Sequence, residues 1–349
     1  MSRTEDILDK TKRKEPEAKK WKVIVGIVVG LVFGGALFVG GYVVTEPVSD
    51  SYFKSKSIVQ HSEFYKSQTD SDNISVYFIG SSVIGTAVYC PLIDSILSDR
   101  GYDVETYNLH LGADIPRIRA MEVDWIIESN PSLVVYGITY YDITREDIWY
   151  DHVAYSPNSP LDNDNLTQFY SCDELKQFIE RTYFSKKGYF VRGFPHYLTS
   201  TLNTESYHEK TLYYIKEGYS PDTLRNNELY HKDINDIQTT ARDVYSVMTL
   251  NSDSARYNGA ALVSNIKKLT DANIPVILIS IPIHPIVHDA LPKSTVSDYH
   301  FLLDQTGNNW INAETIFDDS CFYDQFHKTW HGCQLFSNMM ADLIIQELS

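Results

Sequence analysis

The sequence predicts an α/β protein, a doubly wound parallel sheet that carries a large insertion and follows a single transmembrane helix. Short apolar runs alternate with segments of helical spacing, which is typical of parallel strands and their crossover helices. An apolar fraction of 43% together with 25 tyrosines indicates a folded core. An uncharged stretch of 22 residues near the amino terminus is long enough to cross a bilayer.

The amino-terminal segments predict a membrane anchor. Residues 1–22 form a basic tail with eight Lys or Arg and five Asp or Glu, and the uncharged stretch 23–44 follows. The positive-inside rule leaves this tail in the cytoplasm and the C-terminal domain on the extracytoplasmic side of the cell membrane. A cleaved signal peptide is the alternative, although its apolar region should be shorter. Residues 45–73 are polar and rich in serine, which predicts a stalk.

Charge and glycine spacing restrict the partners. The formal net charge of −16 argues against nucleic acid, whose binding requires clustered Lys and Arg. Gly26, Gly30 and Gly34 recur every four residues in the predicted span. This small-xxx-small pattern is typical of a helix that packs against a second copy or another membrane protein. A glycine-rich membrane helix without a partner explains the same pattern equally well.

The folded domain is predicted to cover residues 74–349, with an insertion at 143–254. The predicted strands before the insertion are Val76–Ile79, Val104–Asn108 and Leu133–Gly137, and the predicted helices are Pro91–Leu97 and Ile118–Ser129. The predicted elements after it are a helix at Ala255–Ala272, strands at Ile274–Ile281 and Trp310–Asn312, and a final helix at Leu335–Leu348.

The insertion is expected to cover the carboxyl edge of the sheet. It breaks the strand–helix rhythm with many Tyr, Asn, Asp, Pro and Ser residues, and it holds helix candidates at Asp173–Lys186 and Pro221–Leu250. Its aromatic side chains suit stacking on sugar rings, while packing of the insertion on itself is the simpler interpretation.

Two short motifs at opposite ends of the domain carry the chemistry. Gly80-Ser81-Ser82 directly follows the first strand, so a serine hydroxyl lies at the sheet edge where open α/β sheets bind ligands. Asp324 and His327 precede the last helix, and their spacing lets the carboxylate orient an imidazole that deprotonates a serine.

Together these motifs resemble the SGNH (GDSL-type) hydrolase superfamily. Its first block ends a strand in Gly-Asp-Ser, and its last block is Asp-x-x-His with a glycine following, here Gly332. The resemblance covers roughly residues 74–142 and 274–347. It implies a flavodoxin-like three-layer sandwich with Ser82 as nucleophile, His327 as base and Asp324 as its orienting partner. Ser81 replaces the usual Asp, as in membrane-associated members that act on cell-envelope polymers.

The resemblance also implies an oxyanion hole. Asn108-Leu109-His110-Leu111-Gly112 is similar to the second block, whose glycine amide joins this hole. Thr139 stands where the third block has its asparagine, and a threonine hydroxyl or a backbone amide would have to substitute. His284 leaves the carboxyl end of the fourth strand between two prolines, so we expect either a substrate contact or a plain turn residue.

Two further interpretations concern the same carboxy-terminal region. Asp324, His327 and His331 have a spacing that suits zinc, although the glutamate of the His-Glu-x-x-His pattern is absent. Cys321 and Cys333 flank the Asp324–His327 segment. Disulfides are permitted outside the cytoplasm, and a bond between these two cysteines would constrain that segment. Four free thiols are the alternative.

The sequence thus predicts a membrane-anchored serine esterase or O-acyltransferase that needs no cofactor. Its expected substrate is an acyl ester, with acetyl favoured, of a cell-surface glycan or envelope polymer. A non-catalytic assembly or glycan-binding protein with the same fold is the alternative, which the missing third-block asparagine favours.

Overall fold

The structure is a computed structural model that describes residues 25–26, 28–30, 57–69, 73–145, 163–177, 215–216, 218–228 and 232–349. The chain divides into two units, residues 1–52 with 186–202 and residues 53–185 with 203–349. Of the first unit the described residues are 25–26 and 28–30, which are helical. The second unit contains the sheet and is described below.

Five parallel strands form the sheet in the order β2-β1-β3-β4-β5. The strands are β1 (Ile74–Gly80), β2 (Val104–His110), β3 (Leu133–Ile138), β4 (Val276–Ser280) and β5 (Trp310–Asn312). This order changes direction between β1 and β3, which creates the crevice at the carboxyl edge where doubly wound sheets bind ligands. The predicted α/β class and the parallel sheet are confirmed.

Helices connect the strands. Those before the insertion are α1 (Ser57–Gln68), α2 (Ser82–Ala87), α3 (Cys90–Asp99), α4 (Pro116–Arg119), α5 (Val123–Ser129) and α6 (Tyr140–Thr144). Those described within it include α7 (Asp164–Thr167), α8 (Pro221–Glu228), α9 (Ile234–Asp243) and the 3-10 turn Tyr245–Val247. Those after it are α10 (Asp253–Asp271), α11 (Pro285–Ala290), α12 (Lys293–Asp304), the 3-10 turn Asp319–Cys321 and α13 (Trp330–Leu348).

Both faces of the sheet are covered, which explains why its strands are apolar on both sides. Side chains of β1 alternate between two cores, with Tyr77 and Ile79 in one and Val76 and Phe78 in the other. Helices α1, α5, α10 and α12 contribute to the first core, and α2, α3 and α13 to the second. The result is a three-layer α/β/α arrangement.

The predicted stalk is wrong for residues 57–69. They include α1, whose side chains Ile58, Phe64 and Tyr65 are buried, and the rings of Phe64 and Tyr107 lie 4.8 Å apart. The amphipathic signal of this helix is weak because its polar residues His61 and Ser62 are buried as well. The folded unit therefore begins before β1.

Two predicted helices are interrupted. The segment predicted as one helix over Ile118–Ser129 breaks between α4 and α5, and this break lets Arg119 and Glu122 both point inward. The candidate at Pro221–Leu250 is divided into α8, α9 and a 3-10 turn. The candidate at Asp173–Lys186 is described as helix up to residue 177, and its remainder lies outside the described residues.

Some described segments of the insertion contact residues at the carboxyl edge of the sheet. Gly218 packs against the Asn108 amide near the end of β2, and the Tyr219 and His110 rings are 5.3 Å apart. Lys232 donates its backbone N–H to the Tyr323 carbonyl, beside Asp324.

The predicted basic tail, most of the predicted span at 23–44 and the first part of the stalk lie outside the described residues. Within the described residues, no helix combines the length and the apolar character that crossing a membrane requires. The anchor stays a prediction from sequence.

Replacing Phe64 by alanine tests whether α1 belongs to the folded unit. Truncating a buried phenylalanine removes apolar contacts and leaves a cavity, so the free energy of unfolding should fall by about 3–5 kcal/mol. Urea unfolding of the full-length chain in detergent, followed by circular dichroism, measures this. Val247→Ala, at a residue 70% exposed, is the control and should change the free energy by less than about 0.5 kcal/mol. If the two substitutions lower the free energy of unfolding equally, α1 does not pack in the folded unit.

Candidate active site

A tight turn after β1 presents the candidate nucleophile. Gly80 has a φ of +137°, and a Cβ there would lie 2.3 Å from the Gly137 carbonyl oxygen of β3. Only glycine fits this approach, which brings β1 and β3 close at the change of direction in the sheet. Ser81 caps α2 by accepting a hydrogen bond from the Val83 N–H, and Ser82 is the first residue of that helix.

Ser82 meets the neighbouring residues Asp324 and His327 although 245 positions separate it from His327. The Ser82 Oγ lies 2.9 Å from His327 Nε2, and His327 Nδ1 lies 2.8 Å from Asp324 Oδ2. A carboxylate oxygen only accepts, so Nδ1 carries a proton and Nε2 of the neutral imidazole accepts from the serine hydroxyl. This is the geometry of a nucleophile, its base and the group that orients the base.

The Asp324 carboxylate is fixed and charged. Its Oδ1 accepts the backbone N–H groups of Phe326 and His327, each at 2.8 Å. Burial alone would raise the pKa of Asp324, but the hydrogen bonds and the charge of His327 lower it to about 2. Asp324 therefore stays ionised at neutral pH and stabilises an imidazolium when His327 takes up a proton.

Lys328 anchors the segment that carries Asp324 and His327, residues 322–329, here called the Asp–His loop. Its side chain is fully buried, and Nζ donates to the carbonyls of Pro282 (2.6 Å) and Phe326 (2.8 Å). Its backbone N–H donates to Thr86 Oγ1 of α2, one turn beyond Ser82. Lys328 thus ties the loop both to the end of β4 and to the nucleophile helix.

A second buried cation supports the other side of the site. Arg119 is fully buried and donates from Nη2 to the Gly80 carbonyl at 3.2 Å, two residues before Ser82. Its guanidinium pairs with Asp114, at 2.7 Å, and with Glu122. Glu122 in turn accepts from Tyr65 and contacts His61, both on α1. Helix α1 therefore reaches the nucleophile turn through one continuous network.

Burial and the charge of Arg119 have opposite effects on the pKa values of Glu122 and Asp114. Burial would raise the pKa of Glu122, but the positive charge of Arg119 lowers it to about 2. Burial raises the pKa of Asp114 to about 7 despite the same guanidinium. The positive charge of Arg119 thus favours the ionised form of both carboxyl groups.

Thr139 does not serve as the predicted oxyanion donor. It is fully buried as the cap of α6, and its hydroxyl and backbone N–H both donate to Asp142 Oδ2, at 2.8 and 2.9 Å. This capping box uses both donors of Thr139. Burial raises the pKa of Asp142 to about 6, while hydrogen bonds from Thr139 and Ser81 oppose that rise.

The other predicted substrate-binding residues differ in position. Gly112 lies exposed in the turn directly after β2, at the carboxyl edge, and its oxyanion role stays a prediction. Ser81 is buried as a helix cap. His284 is 2% exposed, caps α11 and donates its backbone N–H to the Gln325 carbonyl. His284 thus supports the Asp–His loop through its backbone, and its substrate contact stays a prediction.

His110 is a neighbour of the site to which the sequence interpretation gave no role of its own. Its ring packs on Gly85 of α2, where a Cβ would lie 2.6 Å from the ring. Burial and the charges of His61, Arg119 and His327 lower the pKa of His110 to about 3, so it is neutral. Nδ1 donates to Asn108 Oδ1 at 3.0 Å, which leaves Nε2 as an acceptor.

The predicted Cys321–Cys333 disulfide is wrong, because all four cysteines are free thiols. Gly332, and not Cys333, faces Cys321: a Cβ on Gly332 would lie 3.0 Å from the Cys321 Cβ. Cys333 is rotated about 100° further around α13, and its Sγ lies 4.0 Å from Ser337 Oγ. The hydrogen bonds described above, and no covalent bond, hold the Asp–His loop.

The alternative zinc site is not assembled. His331 is exposed at the start of α13, whereas His327 and Asp324 point toward Ser82. No group of three or more His, Cys, Asp or Glu side chains in the described ranges is arranged to hold a metal ion.

Aromatic rings pack on the Asp–His loop. Tyr323 stacks on the His327 ring with centroids 5.6 Å apart and an interplanar angle of 14°. Phe326 stacks on Tyr141 at 5.4 Å and meets the edge of Tyr245 at 5.6 Å. We call Tyr141, Tyr245 and Phe326 the aromatic platform; Tyr141 and Phe326 are half-buried and Tyr245 is buried.

Comparisons with known proteins identify no family. No family model and no curated protein matches the chain. Among solved structures, the acetyl xylan esterase AlAXEase aligns with 78% of this chain and 100% of its own, at 12% identity and a TM-score of 0.27. This likeness is too weak to support an argument about the site.

Replacing Lys328 by methionine tests whether burial lowers the pKa of the Lys328 side chain. Burial lowers the pKa of Lys328 from the usual 10.5 to about 7. Between these values the unfolded chain binds more protons than the folded one, so the contribution of Lys328 to the free energy of unfolding rises with pH. From pH 7 to pH 9 the free energy of unfolding of the parent should therefore rise relative to that of Lys328→Met, by up to about 1.4 kcal/mol per pH unit.

Urea unfolding at pH 6, 7.5 and 9 measures this difference. Lys267→Met is the matched control, because Lys267 is exposed and paired with Asp271, and its difference from the parent should not vary in this way. The difference in the free energy of unfolding between the parent and Lys328→Met should grow with pH. If it is constant or falls from pH 7 to 9, the pKa of Lys328 is not lowered by burial.

Proposed function

We propose that this chain is a serine esterase or O-acyltransferase of the SGNH type. The observation that carries the proposal is the assembled Ser82–His327–Asp324 arrangement, with hydrogen bonds of 2.9 and 2.8 Å. The sheet order and the position of Ser82 at the change of direction agree with it.

The reaction follows from the direction of the hydrogen bonds. Ser82 Oγ attacks the acyl carbonyl carbon while His327 Nε2 takes the serine proton, and Asp324 stabilises the imidazolium. Collapse of the tetrahedral intermediate breaks the ester bond, and the imidazolium protonates the departing alcohol. The acyl group then remains on Ser82 as an ester.

The second half-reaction decides between the two activities. A hydroxyl bound near His327 Nε2 loses its proton to that nitrogen and attacks the acyl-serine carbonyl. When this hydroxyl is water the chain is an esterase, and when it belongs to a sugar the chain is an acyltransferase. Ser82 then regains its proton from the imidazolium in either case.

Backbone amides are the proposed oxyanion donors. The Thr139 hydroxyl donates to Asp142, so the side chain at this position offers no free proton to an oxyanion. The amide of Gly112, in the exposed turn after β2, and those of the turn at Ser82 are the proposed donors.

The proposed substrate is an acyl ester, with acetyl favoured, of a cell-surface glycan or envelope polymer. The uncharged stretch 23–44 supports a single-pass anchor that leaves the catalytic domain outside the cytoplasm. The half-buried Tyr141 and Phe326 beside His327 support a sugar ligand, because the apolar faces of sugars pack on aromatic rings.

A non-catalytic assembly or glycan-binding role is the second candidate. The capping of Thr139 by Asp142 favours it, since this position lacks both the asparagine of the SGNH pattern and a free hydroxyl. An intact triad without turnover would distinguish this role from catalysis.

Labelling by a fluorophosphonate probe and turnover of p-nitrophenyl acetate test the proposed catalysis. Ser82→Ala should abolish labelling of the full-length chain, because the probe reacts with the activated hydroxyl. His327→Ala and Asp324→Asn should each reduce kcat on the order of 10⁴-fold. Ser95→Ala, at an exposed serine of α3, is the matched control and should keep parental labelling and turnover. Parental labelling in Ser82→Ala, or none in a folded parent, would refute the proposal.

A further inference from the structure

Two basic side chains lie near the Asp–His loop of this acidic chain. The formal net charge is −16, yet Lys232 contacts Gln325, and Arg145 contacts Tyr141, which stacks on Phe326. Within the described part of the chain, neither of the two forms an ion pair with a carboxylate. The nearby carboxylates have other partners, since Asp324 binds His327 and Asp142 binds Thr139.

Arg145 ends α6, the helix that follows β3. Its guanidinium carbon lies 5.3 Å from the centroid of the Tyr141 ring, and Tyr141 in turn stacks on Phe326, next to His327. The Arg145 Nε is buried and has no hydrogen-bond partner among the described residues. An unsatisfied buried donor is costly, so an acceptor at this position is favoured.

Lys232 approaches the loop from the insertion. Its backbone N–H donates to the Tyr323 carbonyl, and its Nζ donates to Gln325 Oε1, at 3.0 Å in both cases. Its partner is a neutral amide, and the side chain is exposed. The Nε2 of the buried Gln325 has no partner within the described ranges either.

These features favour an anionic ligand. A guanidinium presents donors in a planar fork that matches the two oxygens of a carboxylate or a phosphate. An acidic protein repels anionic polymers at a distance, so Arg145 and Lys232 supply local attraction near the aromatic platform. A neutral substrate would give these cations no counter-ion.

We propose that Arg145 and Lys232 form an anion-binding subsite beside the aromatic platform, which holds a carboxylate or phosphodiester group of the acyl-bearing polymer. This inference rests on the proposed function, because it assigns the substrate class of the same site. The platform contacts the apolar face of a sugar while Arg145 binds its anionic substituent, which fixes the polymer relative to Ser82.

Direct binding tests the subsite without requiring turnover. The full-length Ser82→Ala chain in detergent is titrated calorimetrically with oligogalacturonate, with oligomeric glycerol phosphate and with neutral xylo-oligosaccharide. At least one anionic oligomer should bind about 10-fold tighter than the neutral one, and the better of the two identifies the anionic group. This preference should weaken as salt is raised, because the interaction is electrostatic.

Variants locate the effect. Arg145→Gln should lower the affinity for the anionic oligomer about 10-fold or more, and Arg145→Lys should have an intermediate effect because it keeps the charge and loses the fork. Lys232→Gln should reduce the affinity less, since the ammonium is exposed. Arg242→Gln is the matched control, because Arg242 is an exposed arginine of the insertion that already pairs with Asp243.

Two results would overturn the subsite: equal affinities for anionic and neutral oligomers, or an anion affinity that Arg145→Gln leaves unchanged. Should Arg145→Gln fail to fold, Arg145→Lys and the salt titration of the parent decide the matter. Fluorophosphonate labelling separates this inference from the proposed function. A labelled parent without anion preference refutes the subsite alone, and an unlabelled parent with Arg145-dependent binding refutes catalysis alone.

Discussion

The hydrogen bond between Ser82 and His327 is the constraint on which the rest of the structure depends. It joins side chains 245 residues apart and requires a distance of 2.9 Å between Oγ and Nε2. Helix α2, which follows β1, sets the position of the serine, and the Asp–His loop before α13 sets that of the imidazole. Both elements pack in the core on one face of the sheet, through α2 and α13.

Two buried cations maintain that distance from opposite sides. Arg119 binds the carbonyl of Gly80, and Lys328 binds the carbonyls of Pro282 and Phe326. Burying a charge is unfavourable unless hydrogen bonds replace its hydration. Arg119 has carboxylate partners, whereas Lys328 relies on neutral carbonyls, and this difference is why burial lowers the pKa of Lys328 while Arg119 keeps its charge. Stability and site geometry therefore depend on the same side chains.

Thr139 is a buried helix cap and not the oxyanion donor that the sequence predicted. Its hydroxyl closes a capping box with Asp142 instead of facing the crevice. Asp142 also interacts with Ser81, so the two positions that depart from the SGNH pattern are linked through one buried carboxyl group. Under the proposed function the backbone stabilises the oxyanion. Lys232 and Tyr245 of the insertion reach the Asp–His loop.

The sequence by itself determined the α/β class, the five strands and the candidate triad. Apolar runs such as Leu133–Gly137 report burial on both faces of a sheet, and Asp324 and His327 are close enough in the chain for their spacing to predict contact. Only the tertiary structure decided which polar residues are buried. The inward turn of Arg119, the capping of Thr139, the free thiols and the packing of α1 all depend on partners far away in the chain. Local periodicity carries no information about such partners, because it reports which face is apolar and not what the polar atoms meet.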